Sequence, residues 1–140
     1  MIPKSLKKEE LEIGKTVEYN IMVVNNQKTW RNRVIKNIQK PYVGEGYAQD
    51  KAQDLIEDRL AWGFDLVIID NDAGDGLNTL DAITEFSPEI PVIYTSMMPD
   101  DPNWLSKNKI SRSNVHIHHT RDTASEKVNE LLTKYIGESE

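Results

Sequence analysis

Short apolar runs alternate along this chain with stretches in which apolar residues recur every three or four positions. The runs Ile21–Val24, Leu66–Ile69 and Pro91–Tyr94 are rich in β-branched residues and contain almost no polar position. Such runs are typical of strands that are covered on both faces, as in a parallel sheet. Tyr42–Tyr47 and Val115–His119 are weaker strand candidates. The pattern therefore predicts five strands.

The segments between and after these strands carry apolar stripes at helical spacing. The four stripes are Trp30, Val34, Ile35 and Ile38; Ala52, Leu55, Ile56 and Leu60; Leu77, Leu80 and Ile83; and Val128, Leu131, Leu132 and Tyr135. A short irregular helix is expected near Trp104, because Pro99 and Pro102 interrupt a regular one. Strands that alternate with helices in this way predict a doubly wound α/β sandwich with a five-stranded parallel sheet and right-handed crossovers.

The first 18 residues differ from the rest of the chain in their capacity to fold. Residues 1–18 are mostly polar and charged, so we expect an N-terminal extension that is loose or weakly docked. Residues 19–137 contain every predicted strand and helix and are expected to form one domain. Few residues follow the last predicted helix, which favours a stand-alone domain.

Composition and charge exclude several classes of protein. The absence of cysteine rules out disulfides, thiolate metal sites and cysteine nucleophiles. The formal charge of -6 argues against a nucleic-acid surface, which needs a local excess of Lys and Arg. No apolar run approaches the length of a membrane span, about 18 residues. We therefore expect a cytoplasmic protein that binds neither nucleic acid nor membrane.

Polar side chains follow four of the predicted strands. They are Asn25 and Asn26 after the first strand; Asp70, Asn71 and Asp72 after the third; Thr95 and Ser96 at the end of the fourth; and His119, Thr120 and Arg121 at the end of the fifth. Ligands of an open doubly wound sheet bind beyond the carboxyl ends of its strands. These positions are therefore the candidate site.

The same residues carry a resemblance to a known family. Phe64–Asp70, Gly74–Leu77 and Ser87–Ser96 resemble the receiver domain of bacterial response regulators, and the likeness extends over Tyr19–Ile136. The resemblance implies a flavodoxin-like, CheY-like three-layer sandwich. In that family the aspartate that ends the third strand accepts a phosphoryl group, and an acidic pair after the first strand helps to bind Mg²⁺. A Ser or Thr after the fourth strand and a Lys after the fifth contact the phosphoryl group.

The family's site residues carry over only in part. Asp70 falls on the phosphoacceptor position, and Ser96, with Thr95 as the alternative, falls on the switch hydroxyl. Asn25 and Asn26 replace the acidic pair. No Lys follows the fifth strand, and the candidate reader of a phosphoryl group there is Arg121, whose planar fork does not replace an ammonium group.

These departures predict a degenerate receiver, or pseudo-receiver. Two amides in place of two carboxylates remove up to two formal charges, so we expect Mg²⁺ to bind weakly, through Asp70 and Asp72 if at all. Signalling of the two-component type would then pass through a protein partner, a histidine kinase or a downstream regulator, and catalysis is not expected. The resemblance places the interaction face near Trp104, His118 and Tyr135. Homodimer formation stays open.

Two alternatives stay open at this stage. The first is a phosphoacceptor response regulator of a phosphorelay that uses Asp70 and Mg²⁺. The second is a receiver-derived hydrolase of cyclic phosphates, because Asp70–Gly74 and Ser96–Pro99 are similar to two short motifs of such a group. Asn71 stands where that group has a histidine.

Three histidines in the last strand suggest a metal site. On a strand His116 and His118 share one face while His119 points to the other, so at most two of them converge. We therefore expect these histidines to have a structural role.

Overall fold

The computed structural model describes residues 17–58, 63–71, 76–97 and 114–138. The elements, in chain order, are β1 (Tyr19–Val24), α1 (Lys28–Asn37), β2 (Tyr42–Tyr47), α2 (Gln49–Glu57), β3 (Leu66–Asp70), α3 (Gly76–Phe86), β4 (Val92–Ser96), β5 (Val115–His119), α4 (Thr120–Thr123) and α5 (Lys127–Glu138). The five strands form one sheet in the order β2-β1-β3-β4-β5, and all pairings are parallel. The predicted α/β fold is confirmed.

The strands are apolar on both sides because helices cover both faces of the sheet. Along β1 and β3, alternate residues enter different core clusters: Met22 and Val67 pack with α2 and α3. Ile21 and Ile68 pack with α1 and α5. Side chains alternate across a strand, so a strand buried on both faces has no polar position. Complete burial of each large aliphatic side chain contributes roughly 1.5–3 kcal/mol.

The predicted helical stripes face the sheet wherever the structure describes them. Val34 is fully buried in α1, Ala52 and Ile56 in α2, and Ile83 is almost fully buried in α3. The α5 stripe is buried throughout, at Val128, Leu131, Leu132 and Tyr135. Leu60 and the side chain of Leu77 lie outside the described residues.

Two glycines let α1 approach β2 closely. A Cβ atom on Gly44 would lie 2.9 Å from Cδ1 of Ile38 and 3.2 Å from Cγ1 of Ile35. A Cβ atom on Gly46 would lie 3.1 Å from Cδ1 of Ile35 and 3.2 Å from Cδ of Arg31. Glycine in a strand weakens it but allows a close approach of this kind. The glycines explain why β2 was the weaker strand signal.

The chain differs from the prediction just after β5. The helix α4 begins there without a connecting loop, and His119 caps it, because its Nδ1 atom accepts a hydrogen bond of 3.0 Å from the backbone N–H of Arg121. The irregular helix expected near Trp104 and residues 1–16 of the predicted N-terminal extension lie outside the described residues. Val17, at the end of that extension, is buried.

The register of the sheet brings four strand ends together. Val24 pairs with Ile69, and Asp70 pairs with Thr95. Ser96 pairs with His119. Because the strands are parallel and in this register, the residues that follow β1 and β5 emerge at the same edge of the sheet as the end of β3. The predicted candidate site is therefore one place in the fold.

Candidate functional site

Asp70 lies at the centre of this edge, and three neutral side chains of the described residues donate hydrogen bonds to it. Its Oδ2 atom accepts a hydrogen bond of 2.8 Å from Nδ2 of Asn25. Its Oδ1 atom accepts hydrogen bonds from Oγ1 of Thr95, at 2.9 Å, and from Oγ1 of Thr120, at 3.1 Å. The donors come from the ends of β1 and β4 and from the start of α4. One carboxylate thus joins four segments of the chain.

The amide of Asn25 is fixed in its orientation by the backbone. Its Oδ1 atom accepts a hydrogen bond of 2.6 Å from the N–H of Gln27, while its Nδ2 atom faces Asp70. A flipped amide would place N–H against N–H at Gln27 and oxygen against oxygen at Asp70. Arg31 adds a second restraint, since its guanidinium donates to the carbonyl oxygen of Asn25 at 2.6 Å. Asn25 therefore presents a donor to Asp70, at the position where the resemblance to receivers implied a carboxylate acceptor.

Asn26 has a different structural task. Its Oδ1 atom accepts a hydrogen bond of 2.8 Å from the backbone N–H of Gln49. That N–H opens α2, and the helix gains no side-chain cap from its own N-cap residue, Ala48. An unpaired N–H group at a helix start needs such a partner. Asn26 therefore joins the end of β1 to the start of α2.

These contacts decide whether the site suits the Mg²⁺ that the fold family uses. Mg²⁺ binds oxygen ligands and usually takes one or two carboxylates. In this site both asparagine oxygens accept backbone N–H groups, and the amide NH₂ of Asn25 points at Asp70. An NH₂ group repels a cation. The residues at the two acidic-pair positions therefore do not fit the ion.

The two candidate switch hydroxyls lie in different positions. Thr95, predicted as the alternative, is fully buried and donates to Asp70. It also lies 3.4 Å from the carbonyl oxygen of Ile69. Ser96, the first choice, is the next residue and is also buried. The geometry places the Thr95 hydroxyl on the Asp70 carboxylate.

The sequence predicted a cation after β5, and the structure brings a hydroxyl to Asp70 instead. Arg121 is exposed, and its neighbour Thr120 makes the contact. Sequence analysis placed Thr120 in the candidate site but assigned the role there to Arg121 and gave Thr120 none. The available signal was its position as the first residue after the last strand.

A tyrosine lies under the site on the other face of the sheet. Tyr94 is fully buried and donates a hydrogen bond of 3.2 Å to Oδ1 of Asn71. Burial raises the pKa of Tyr94 far above its ordinary value, and the negative charges of Asp70 and Asp81 raise it further. Tyr94 therefore remains a protonated donor, and its bond holds the residue that follows Asp70.

The histidines of β5 pack against Tyr135 of α5. The ring of His116 stacks on Tyr135 with 3.7 Å between centroids, and Nε2 of His118 hydrogen-bonds the Tyr135 hydroxyl. Asp122 lies 3.7 Å from Nδ1 of His118. Burial lowers the pKa of His118, and Asp122 opposes this effect. Within the described segments no group of three or more His, Asp or Glu side chains is placed to hold a metal ion.

The predicted interaction face is only partly described. Tyr135 is 6% exposed and belongs to the core, while His118 is half-buried beside it. Trp104, and Asp72 as a possible metal ligand, lie outside the described residues. Met97 follows β4 and is 77% exposed, a large apolar side chain at the surface.

Comparisons with solved structures agree with this architecture. The chain is similar to a response regulator receiver protein from Sinorhizobium medicae WSM419, with a TM-score of 0.68 and 14% identity over 88% of this chain and 98% of that one. It is similar to the response regulator domain of Thermotoga maritima CheB, with a TM-score of 0.67 and 16% identity over 86% and 97% of the two chains.

A third similar structure is the receiver domain of the Arabidopsis thaliana histidine kinase CKI1 in complex with Mg²⁺ and BeF₃⁻. Its TM-score is 0.61, and the identity is 11% over 94% of this chain and 97% of that one. No protein-family model matches the sequence, and no curated protein matches it. The chain therefore has the fold of response regulator receiver domains, at a level of identity that carries the fold alone.

No helix in the described part of the chain has both the length and the apolar character that a membrane crossing requires.

Proposed function

We propose that this protein is a receiver-like signalling domain of the two-component type that acts through a protein partner and not through phosphoryl transfer to Asp70. The observation that carries the proposal is the set of neutral donors around that carboxylate, from Asn25, Thr95 and Thr120. Phosphoryl transfer needs a cation to neutralise the developing charge. Asn25 and Asn26 do not provide ligands for such a cation. Asn25 directs an N–H donor at Asp70, and the side-chain oxygens of both residues already accept backbone N–H groups.

The contacts of Asp70 support a structural role for it. Both carboxylate oxygens of Asp70 already accept hydrogen bonds, from donors at the ends of β1 and β4 and at the start of α4. A reaction at either oxygen would break at least one of these bonds. We infer that Asp70 fixes the geometry of this edge, so that the conformation of the face presented to a partner does not depend on phosphorylation.

The proposed interaction face comprises Met97, His118 and α4. Met97 is exposed, and aromatic residues and Met are enriched at interface cores. Asp122 of α4 contacts both His118 and Lys127, which gives the face a polar margin. A cytoplasmic histidine kinase or a downstream regulator is the proposed partner.

An experiment with a phosphoryl-group mimic tests the proposal against a phosphoacceptor function. The protein is incubated with beryllium fluoride and millimolar Mg²⁺, and amide NMR spectra are recorded. We expect no change at Asp70, Thr95 or Thr120. Shifts centred on these residues that vanish in Asp70→Asn would overturn the proposal and establish the phosphoacceptor alternative.

The interaction is tested by proximity labelling in cells that carry the wild-type protein, Asp70→Asn or Met97→Glu. We expect Asp70→Asn to label the same proteins as the wild type, because Asn has a similar shape and retains one acceptor oxygen for these donors, while it removes the acceptor of a phosphoryl group. Met97→Glu is expected to lose those proteins. A loss in Asp70→Asn, with its fold intact by circular dichroism, would contradict the claim that phosphate does not set the state.

The cyclic-phosphate hydrolase gains no support from the described site. Asn71 stands at the histidine position of the similar motif, and its side-chain oxygen accepts the hydroxyl of Tyr94. Turnover of cyclic nucleotides that is lost in Asp70→Asn would establish that function instead.

A further inference from the structure

Charge is distributed unevenly between the two faces of the sheet. Between Tyr19 and Gly44 the chain contains five cationic residues and no Asp or Glu. The five are Lys28, Arg31, Arg33, Lys36 and Lys40. A chain whose formal charge is -6 thus has a stretch of the opposite sign, and most of that stretch is the helix α1.

The cations of α1 lie mainly on its solvent side. Lys28, Arg33 and Lys36 are exposed, and the other exposed residues of this helix, Thr29 and Asn32, are neutral. In the part of the chain that the structure describes, none of the three cations forms a salt bridge. The outer side of α1, which we call the basic face, is therefore uniformly cationic.

The helices on the other side of the sheet have the opposite character. The two helices α2 and α3 pack against each other, and residues 49–58 and 78–86 belong to them or adjoin them. These residues include one exposed cation, Lys51, and six exposed carboxylates, which we call the acidic face. The six are Asp50, Asp54, Glu57, Asp58, Asp81 and Glu85.

The two faces match in spacing as well as in sign. Lys28 and Lys36 are about two helical turns apart on α1. Asp50 and Asp58 are the same distance apart along α2 and its C-cap, with Asp54 between them. At a rise of 1.5 Å per residue, each stripe is about 12 Å long. A helix with the basic stripe can therefore lie along the acidic helices with its charges opposite theirs.

The two faces cannot neutralise each other within one molecule. The helix α1 packs on the side of the sheet that holds Ile21 and Ile68, whereas α2 and α3 pack on the side that holds Met22 and Val67. The sheet and helices of about 10 Å diameter separate the two faces. This separation exceeds the Debye length, which is about 8 Å at physiological ionic strength. A second copy of the chain can bring the two faces into contact.

We propose that this protein associates head-to-tail with a second copy of itself, so that the basic face of one copy lies on the acidic face of the next. Charge complementarity carries the proposal, because each surface supplies the charge that the other lacks. The two surfaces are different, so the contact can be repeated along a row of copies. Neither face includes Asp70 or Met97, and the association does not depend on the proposed function.

Sedimentation equilibrium of the full chain tests the proposal at about 0.02 M and about 0.5 M salt, between which the Debye length falls from about 20 Å to about 4 Å. A contact of one helix with two is small beside stable interfaces of about 1,200 Å² and more, so the protein concentration is raised to about 1 mM. At low salt we expect an average mass that rises with concentration and does not level off at two copies. At high salt we expect the mass of one copy.

Two double variants each remove one of the faces. Arg33→Glu/Lys36→Glu reverses charges of the basic face, and Asp54→Lys/Glu85→Lys reverses charges of the acidic face. All four residues are exposed, so both variants are expected to fold. Each variant alone should stay monomeric at low salt. A mixture of the two should form pairs and no larger species, because one variant keeps the acidic face and the other keeps the basic face.

The matched control is Glu126→Lys/Glu130→Lys, which changes two exposed acids of α5 outside both faces. It alters the net charge by as much as the acidic-face variant does and should associate as the wild type does.

The proposal is overturned if the wild type is monomeric at low salt, if its mass levels off at two copies, or if the mixed variants do not pair. Association of either face variant alone, or loss of association in the control, overturns it as well. Binding of a poly-uridine RNA that is lost in the basic-face variant, without self-association of the wild type, would assign the basic face to nucleic acid instead.

Discussion

At the scale of single residues, the decisive feature is which atom faces Asp70. The resemblance to receivers implied that Asn25 and Asn26 stand at the positions of two carboxylates, and from this a weaker metal site was predicted. It did not show that the backbone N–H of Gln27 turns the Asn25 amide so that its NH₂ group points at Asp70. Nor did it show that Thr120 would reach the same carboxylate, because the short helix that begins there has no periodic signal of its own.

Thr95→Val measures the strength of the contacts around Asp70. The change keeps the shape of a fully buried side chain and removes the hydroxyl that donates to the carboxylate. A hydrogen bond to a charged group contributes about 1.5–3 kcal/mol, so we expect the free energy of unfolding to fall by about 2 kcal/mol in urea titrations.

Thr29→Val is the matched control for this substitution. Thr29 is exposed on α1, and surface changes of this kind stay within about 0.5 kcal/mol. Equal stabilities for Thr95→Val and Thr29→Val would show that the Thr95 hydroxyl contributes nothing to the fold.

The lowered pKa of His118 predicts how the free energy of unfolding depends on pH. Burial lowers its pKa below the ordinary value of 6.5, with contributions in the same direction from His116, Lys127 and Lys134 and an opposing one from Asp122. As the pH falls through 6.5, the unfolded chain therefore takes up more protons at this residue than the folded chain does. Its contribution to stability is complete above 6.5 and is lost on acidification.

His118→Gln removes this titration and keeps an acceptor for the Tyr135 hydroxyl. We expect the stability of the wild type to fall more steeply between about pH 7 and pH 5 than that of the variant. The measurement is urea unfolding at a series of pH values. Parallel pH profiles, or a steeper fall in the variant, would contradict the lowered pKa.

At the scale of elements, hydrophobic pattern was enough to predict most of the fold. The bounds of β2 and β5 are those that the sequence predicted, and β1, β3 and β4 differ by one to a few residues at their ends. Burial explains this success, because both faces of each central strand are covered by helices. The helix α4 was missed because four residues are too few to show a helical period.

The glycines of β2 give a prediction for the packing of α1 against the sheet. Gly44→Ala places a Cβ atom 2.9 Å from Cδ1 of Ile38, which forces side chains of α1 to move. Overpacking usually costs 1–3 kcal/mol, and the moving atom here is the flexible end of a side chain, so we expect a loss of about 1 kcal/mol in the free energy of unfolding.

Gly63→Ala is the matched control for Gly44→Ala. A Cβ atom on Gly63 would have no atom within 4 Å, and we expect the stability to stay within about 0.5 kcal/mol of the wild type. Urea unfolding of the two variants provides the comparison. A stable Gly44→Ala would show that α1 does not depend on the glycine for its position.

At the scale of the whole molecule, the fold alone does not determine the chemistry of the site. The sheet order β2-β1-β3-β4-β5 and the similarity to receiver domains establish the fold, and the strand register puts Asp70 at the carboxyl edge of the sheet. The surrounding donors then determine what this carboxylate can do. Net charge was a poor guide to this edge, because a chain with a surplus of acidic residues has the neutral amides of Asn25 and Asn26 after β1.

The most direct test of this account is a Mg²⁺ titration of the wild type and of Asn25→Asp/Asn26→Asp, followed by calorimetry and by thermal unfolding. Two carboxylates beside Asp70 repel one another, so the variant should unfold at a lower temperature without Mg²⁺ and regain stability with it. One added charge about 4 Å from the ion contributes about 2 kcal/mol per unit ion charge even at an effective dielectric constant near 40. The variant should therefore bind Mg²⁺ more than about tenfold tighter.

The account predicts no saturable binding of Mg²⁺ to the wild-type protein at millimolar concentration and no change in its unfolding temperature. Binding of Mg²⁺ to the wild type as tight as to the variant, and abolished by Asp70→Asn, would contradict it.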